Sequence, residues 1–209
     1  MLKNNKKESW EWRCFYEQDK LKKNALKLLG FDLPKTKNIK YIDKYIIMPK
    51  LAHNIKLRRA EDPKLEELHI KTIIKTRNNI FKFSRKTKFS FPIIENNLLK
   101  LKKLKILNEN SKINSINSIN DIFNIEKNNY SFCLVKKNII RYNIKKNISK
   151  HEKDIRLEFA NIHINNVLHK TISLKCTSMT IIKKVLKELD MLHLERTNYV
   201  NYIKSLETL

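Results

Sequence analysis

Glycine is almost missing: Gly30 is the only one in 209 residues. That excludes a P-loop or a dinucleotide-binding turn, which need several glycines where backbone closes on phosphate. Cysteine is scarce, odd in number and scattered at Cys14, Cys133 and Cys176. No disulfide framework is written there, and no CxxC or Cys/His cluster has metal-ligand spacing. No run approaches the roughly 18 apolar residues of a membrane helix, and the basic start MLKNNKKESWEW lacks an apolar core. The expectation is a soluble, cytoplasmic protein with no membrane partner. Acidic residues are also short, 21 Asp+Glu against 45 Lys+Arg, for a net charge of +24. Such an imbalance concentrates anions, whether nucleic acid, anionic lipid or phosphorylated small molecules. Codon usage in an AT-rich genome, which favours Lys, Asn and Ile, accounts for the same excess without any partner. A hydrophobic fraction of 41% supports a real core.

What the chain does have is alternation. Residues 10–16 place Trp10, Trp12, Cys14 and Tyr16 opposite Glu11, Arg13 and Phe15, the period of a strand with unlike faces. Residues 19–29 switch to helical spacing through Leu21, Ala25, Leu28 and Leu29, and Gly30 stands where a left-handed residue would end the helix. After a polar connector at 35–41, residues 41–74 predict a short strand, then two strands across a polar turn at 60–64. Asp62 suits that turn and Pro63 is excluded from a central ladder. Lys56 and Arg58 oppose Ile55 and Leu57; Glu67, His69 and Lys71 oppose Leu68, Ile70 and Thr72. Asn78-Asn79 is a turn signal. Residues 80–91 then set Phe81, Phe83, Phe89 and Phe91 against Lys82, Ser84, Lys86 and Lys88, as one bent strand or two short ones.

Residues 97–107 read as an amphipathic Leu/Lys helix. Residues 108–129 are nearly a repeat of Ile-Asn-Ser, read as low-complexity insertion or loop. One domain over 1–209 with an insertion at about 97–129 is the expectation. Residues 130–146 look hairpin-like, with Lys136, Lys137 and Arg141 among apolar neighbours. Residues 154–164 alternate Arg156 and Glu158 against Ile155, Leu157 and Phe159. Asn165-Asn166 suits a turn, and 170–176 oppose Ile172 and Leu174 to Thr171, Ser173 and Lys175. Thr177 or Ser178 is placed to cap a helix whose stripe is Ile181, Ile182, Val185, Leu186 and Leu189. A last helix at 197–206 offers Tyr199, Tyr202 and Leu206.

The tally is about eight strands with helices after the first and at the end, an α+β fold. An antiparallel sheet with its charged face in water explains the alternation. So does an antiparallel eight-stranded β-barrel with the charged face inward and helices packed outside and at the C-terminus, wide enough for one small ligand. A bore of Lys, Arg and a few carboxylates suits a polyanion with a divalent metal.

In motif order the chain resembles the CYTH superfamily, the triphosphate tunnel enzymes. The resemblance is carried by Glu11-Trp12-Arg13, Asp43-Lys44-Tyr45, Asn54-Ile55-Lys56-Leu57-Arg58 and residues 65–71. It continues through Ile155-Arg156-Leu157-Glu158-Phe159-Ala160, Thr171-Ile172-Ser173-Leu174-Lys175 and the closing helices, and omits roughly 97–129. It implies that Arg13, Lys56, Arg58, Lys71, Arg85, Lys136, Arg141 and Arg156 bind phosphates. It further implies that Glu11, Glu67 and Glu158 hold Mg²⁺ or Mn²⁺ for catalysis, with metal-dependent hydrolysis of tripolyphosphate, thiamine triphosphate or a nucleoside triphosphate.

Three positions depart from the family pattern. Ser9 stands where the first strand usually has a second Glu, Lys175 where the late strand usually ends in Glu, and Asn138 where a basic residue is expected. Fewer carboxylates hold a hard cation less tightly. A tunnel that binds polyphosphate or another organophosphate without cleaving it is therefore an alternative, and a basic RNA-associated protein is another. His53 and His69 read as ordinary polar residues, and the phenylalanines as core.

Overall fold

The computed structural model describes residues 8–17, 20–28, 37–48, 53–59, 66–126, 130–148 and 151–207. In chain order its elements are β1 (Ser9–Tyr16), α1 (Lys20–Leu28), β2 (Lys37–Ile47), β3 (His53–Arg59), β4 (Glu66–Arg77), β5 (Ile80–Phe83) and β6 (Thr87–Ser90). There follow β7 (Ile93–Ile94), α2 (Glu95–Lys103), β8 (Ser115–Ile116), α3 (Ile119–Glu126), β9 (Ser131–Ile148), β10 (His151–Ile164), β11 (Val167–Cys176), α4 (Met179–Glu188) and α5 (Tyr199–Glu207).

The main sheet runs β3-β2-β9-β10-β11-β1-β5-β4, and an additional β3–β4 pairing closes it into a ring. Strand β6 pairs with the β4 segment Glu67 to Ile70, and β5 with the segment beyond Ile73. Both lie on the side of β4 away from β3, so they act as one bent strand. The result is the antiparallel eight-stranded barrel with helices outside that the alternation and the family resemblance both allow. Closure removes the edges that an open sheet would leave unpaired.

Period two then sorts every strand into an inner and an outer face. Trp12, Cys14, Leu157, Phe159, Ile172 and Leu174 face outward and are buried under α4 and α1. Ile181, Ile182, Val185 and Leu186 of α4 recur at helical spacing and are all buried. Each is worth roughly 1.5–3 kcal/mol of burial. Ser178 is the N-cap of α4 but makes no side-chain capping bond.

The opposite outer flank is covered by the Ile-Asn-Ser stretch, which is not a bare loop. Ile119 and Ile122, three apart, share one side of α3, and together with Ile116 of β8 they pack on Ile55, Leu57, Leu68 and Phe89. The Asp121 side chain accepts from the backbone N–H of Asn117 and Ser118, and the Ser118 hydroxyl accepts from the Asp121 N–H. This reciprocal cap starts α3.

Two other expectations change. Residues 37–41 belong to β2 rather than to a connector, and residues 130–146 form one continuous strand, not a hairpin. Strand β9 is paired along its length by β2 and β10, and Asn138 sits mid-ladder opposite Asn161 and Lys40. Ladder bonds on both sides override its turn preference. The Asn78-Asn79 and Asn165-Asn166 turns stand where expected, all four residues at positive φ. Gly30 and the 60–64 turn lie outside the described residues.

One end of the barrel is stopped by α5. Its Tyr199, Val200 and Ile203 pack with the inward-facing Ile139, Ala160, Ile162 and Ile164. Phe15 stacks on Tyr202 at 3.5 Å between ring centroids.

Candidate functional site

Above that apolar floor the inner face is ionic. On β2, Asp43 is opposite Arg58 of β3, and Tyr45 is opposite Lys56. This register gathers three cations on one carboxylate that is 0% exposed. Lys56 Nζ donates to Asp43 Oδ2 at 2.7 Å, Arg58 Nε to Oδ1 at 2.8 Å, and Lys137 Nζ of β9 lies 2.9 Å from Oδ2. Lys137 also donates to the Tyr45 hydroxyl at 2.6 Å. Burial alone would raise the Asp43 pKa, but Lys137, Lys56 and Arg58 hold it far below the carboxylate range. Burial lowers Lys137 to about 8 despite Asp43, and burial together with Lys137 also depresses Lys56.

The facing wall comes from β1, β11, β10 and β4. Glu11 pairs with Arg13 at 3.1 Å and with Lys71 at 3.4 Å. Lys175 stands directly opposite Glu11 across the β1–β11 ladder. Burial works against Glu11 ionising, yet Lys71, Arg13 and Lys175 outweigh it and keep the pKa well below normal. Arg13, 6% exposed, donates to Thr171 Oγ1 at 2.7 Å and to the Tyr199 hydroxyl at 3.2 Å. Glu158 pairs with Arg141 at 2.7 Å. On β4, Glu67 pairs with His69 and Lys88, each at 2.7 Å. His69 is 2% exposed, and burial lowers its pKa to about 4, so the ring is neutral at pH 7.

Two buried donors or acceptors here have no partner among the described residues, Arg13 Nε and His69 Nδ1. Leaving such groups unmet costs about 1–3 kcal/mol each.

The bore therefore brings together Glu11, Glu67, Glu158, Arg13, Lys56, Arg58, Lys71 and Arg141 from the residues expected by sequence. Arg156 has the inward register, opposite Lys175, but is exposed. Arg85 is exposed at the bend between β5 and β6. Lys136 is corrected: it is exposed on the outer face, and Lys137 is the inward residue. Counting back by two from Arg141 reaches Lys137 and not Lys136, so the signal was present in the sequence. Asp43 and Tyr199, which the sequence alone does not assign to the site, also belong to it. His69, read as ordinary, is in fact buried and hydrogen-bonded to Glu67.

The implied metal fails a fit test on the donor set. Among the described residues no group of three or more His, Cys, Asp or Glu could hold an ion. Glu11, Glu67 and Glu158 do not gather on one point, and each already has a cation on its oxygens. A surface cavity of about 730 Å³, lined by Phe15, His169, Glu195 and Tyr202 among others, is lined by none of these ion pairs.

No protein-family model and no curated protein matches the chain. Solved structures do. A conserved hypothetical protein from Pyrococcus furiosus aligns over 92% of this chain and 98% of its own, with TM-score 0.50 at 15% identity. A protein from Pyrococcus horikoshii OT3 aligns over 92% and 98%, with TM-score 0.52 at 12% identity. The capping-enzyme triphosphatase of Mimivirus aligns over 90% and 91%, with TM-score 0.45 at 11% identity. Likeness at such identities is one of fold. The barrel is thus a fold that this chain shares with the two Pyrococcus proteins. No helix among the described residues is long and apolar enough to cross a membrane.

Proposed function

We propose that the bore is a binding site for a small molecule carrying a phosphate chain, with inorganic tripolyphosphate as the simplest example. The observation that carries this reading is the single carboxylate of Asp43 shared by Lys56, Arg58 and Lys137. One negative charge cannot neutralise three positive ones, so enclosed positive charge is left for a ligand. Arginine forks match phosphate geometry, and lysines act as movable point charges beside them. Arg58 lines one wall and Arg13 and Arg141 the facing one, which suits successive phosphoryl groups along one chain.

The metal-dependent hydrolase reading has less support. It needs carboxylates converging on one cation, and Glu11, Glu67 and Glu158 are each committed to Lys, Arg or His. The geometry favours the alternative, a tunnel that holds its ligand without cleaving it through a carboxylate-bound metal.

Calorimetry with tripolyphosphate, beside a phosphate-release assay and a Lys56→Ala control, tests the reading. The expected result is binding that Lys56→Ala weakens by about tenfold or more, with no metal-dependent release. Metal-dependent release lost in Lys56→Ala would reinstate the hydrolase. Binding of RNA but not of tripolyphosphate would move the function to the outer surface.

A further inference from the structure

We propose that the Lys175 ammonium takes the place of a divalent cation in this tunnel, so that a phosphate chain is bound without metal. The inference rests on the phosphate-binding reading above and concerns how that same site handles charge. Lys175 is directly opposite Glu11 on one neighbouring strand and opposite Arg156 on the other. Glu158 is opposite Ser173, two residues along β11 on the same face. Directly opposed side chains have Cβ atoms about 4.5–5.5 Å apart, and diagonal ones lie within reach of a long side chain. A lysine at this position therefore has within side-chain reach the two carboxylates that would have to share a metal.

The surrounding charges point the same way. Glu11 is paired with Arg13 and Lys71, and Glu158 with Arg141, before Lys175 is counted. A hard dication needs several carboxylate oxygens turned toward it. Here it would meet oxygens already held by guanidinium and ammonium groups, and would be repelled by the cation on Lys175. That cation costs nothing to recruit, because the chain itself tethers it. Lys175 keeps its proton at neutral pH, although burial and then Lys71 lower its pKa to about 8 against the pull of Glu11. A phosphate oxygen entering between these walls finds a donor where a metal would otherwise bridge.

The test is tripolyphosphate binding to the unmodified protein by calorimetry, in EDTA and then with Mg²⁺ or Mn²⁺. Mn²⁺ binding to the protein alone is followed by electron paramagnetic resonance. The inference expects full affinity in EDTA, no gain on adding metal, and no bound Mn²⁺. Lys175→Met is expected to weaken binding by at least about tenfold. Lys175→Glu, which adds a carboxylate within reach of Glu11 and Glu158, is expected to bind Mn²⁺ and to become metal-responsive toward tripolyphosphate. Binding by the unmodified protein only when metal is present, or a bound Mn²⁺ signal from it, overturns the inference while leaving the phosphate reading intact. Failure to bind tripolyphosphate in either condition overturns the phosphate reading and this inference with it. The comparison in EDTA needs no variant, so a misfolded substitution does not blunt it.

Discussion

The two walls of the bore solve the same electrostatic problem differently. On one, Asp43 is sealed from water and surrounded by Lys56, Arg58 and Lys137; on the other, Glu158 keeps 17% of its side chain exposed and has Arg141 at 2.7 Å. A buried carboxylate with several cations is indispensable to its neighbours, because removing it strands like charges in a poor solvent. A one-to-one pair that water still reaches is more replaceable, because removing its carboxylate strands one cation instead of three. The first wall is thus a fixed structural anchor. The second is where charge is free to be rearranged.

Removing one carboxylate from each wall separates the two. Asp43→Asn should be the most damaging, costing about 3–5 kcal/mol and lowering the melting temperature on the order of 10 °C. Added tripolyphosphate should recover part of the loss, since its oxygens replace the missing carboxylate. A melting temperature unmoved by Asp43→Asn would remove the anchor role. Glu158→Gln should cost less, about 1–3 kcal/mol, measured by the same melt. If the two substitutions proved equal, the distinction between the walls would be lost.

pH offers a subtler probe. Lys137 and Lys175 both have folded-state pKa values near 8, below the ordinary 10.5. Lys137 is faced by Asp43, Arg13 and Arg58, and Lys175 by Lys71, Glu11, Arg156 and Glu158. Below pH 8 folded and unfolded chains both carry these protons, and the cost of burying them is fully present. Between about pH 8 and 10.5 the folded chain releases them first, so the unfolded state binds more protons and the stability carried by these groups rises with pH. Affinity for a phosphate chain should fall over the same interval. Opposite slopes in melting and calorimetry are therefore expected, and parallel slopes would count against the assignment. The smallest effect belongs to Lys136→Ala: on the outer face, it should leave tripolyphosphate affinity unchanged.

Much of the fold was legible because period two is a local property. Trp12 and Cys14 outward, Glu11 and Arg13 inward follow from the spacing within one strand. What was hidden needed a neighbour. Nothing local to residues 130–146 says that β2 and β10 will flank it, so the stretch reads as hairpin-like when it lies in one long strand. The Ile-Asn-Ser stretch looked too simple to pack, yet its isoleucines needed only a flank of Ile55, Leu68 and Phe89 to cover. Within the site, the cation cluster was half visible. Lys56 and Arg58 share a face in the sequence, but their union with Lys137 through Asp43 depends on three strands meeting in register. Lys175 was visible as a departure from the family pattern, while its reach to Glu11 and Glu158 required the ladder.

The helix that stops one end of the barrel has a consequence for ligand choice. On the phosphate-binding reading, a bore with Tyr199 at its floor and Ile139, Ala160 and Ile162 beneath the charged walls would gauge the length of its ligand. A phosphate chain shorter than the charged stretch leaves cations idle, and a longer one hangs its surplus into solvent without adding grip. Affinity should climb from orthophosphate through pyrophosphate and then level off, and the length at which it levels reads out the depth of the tube.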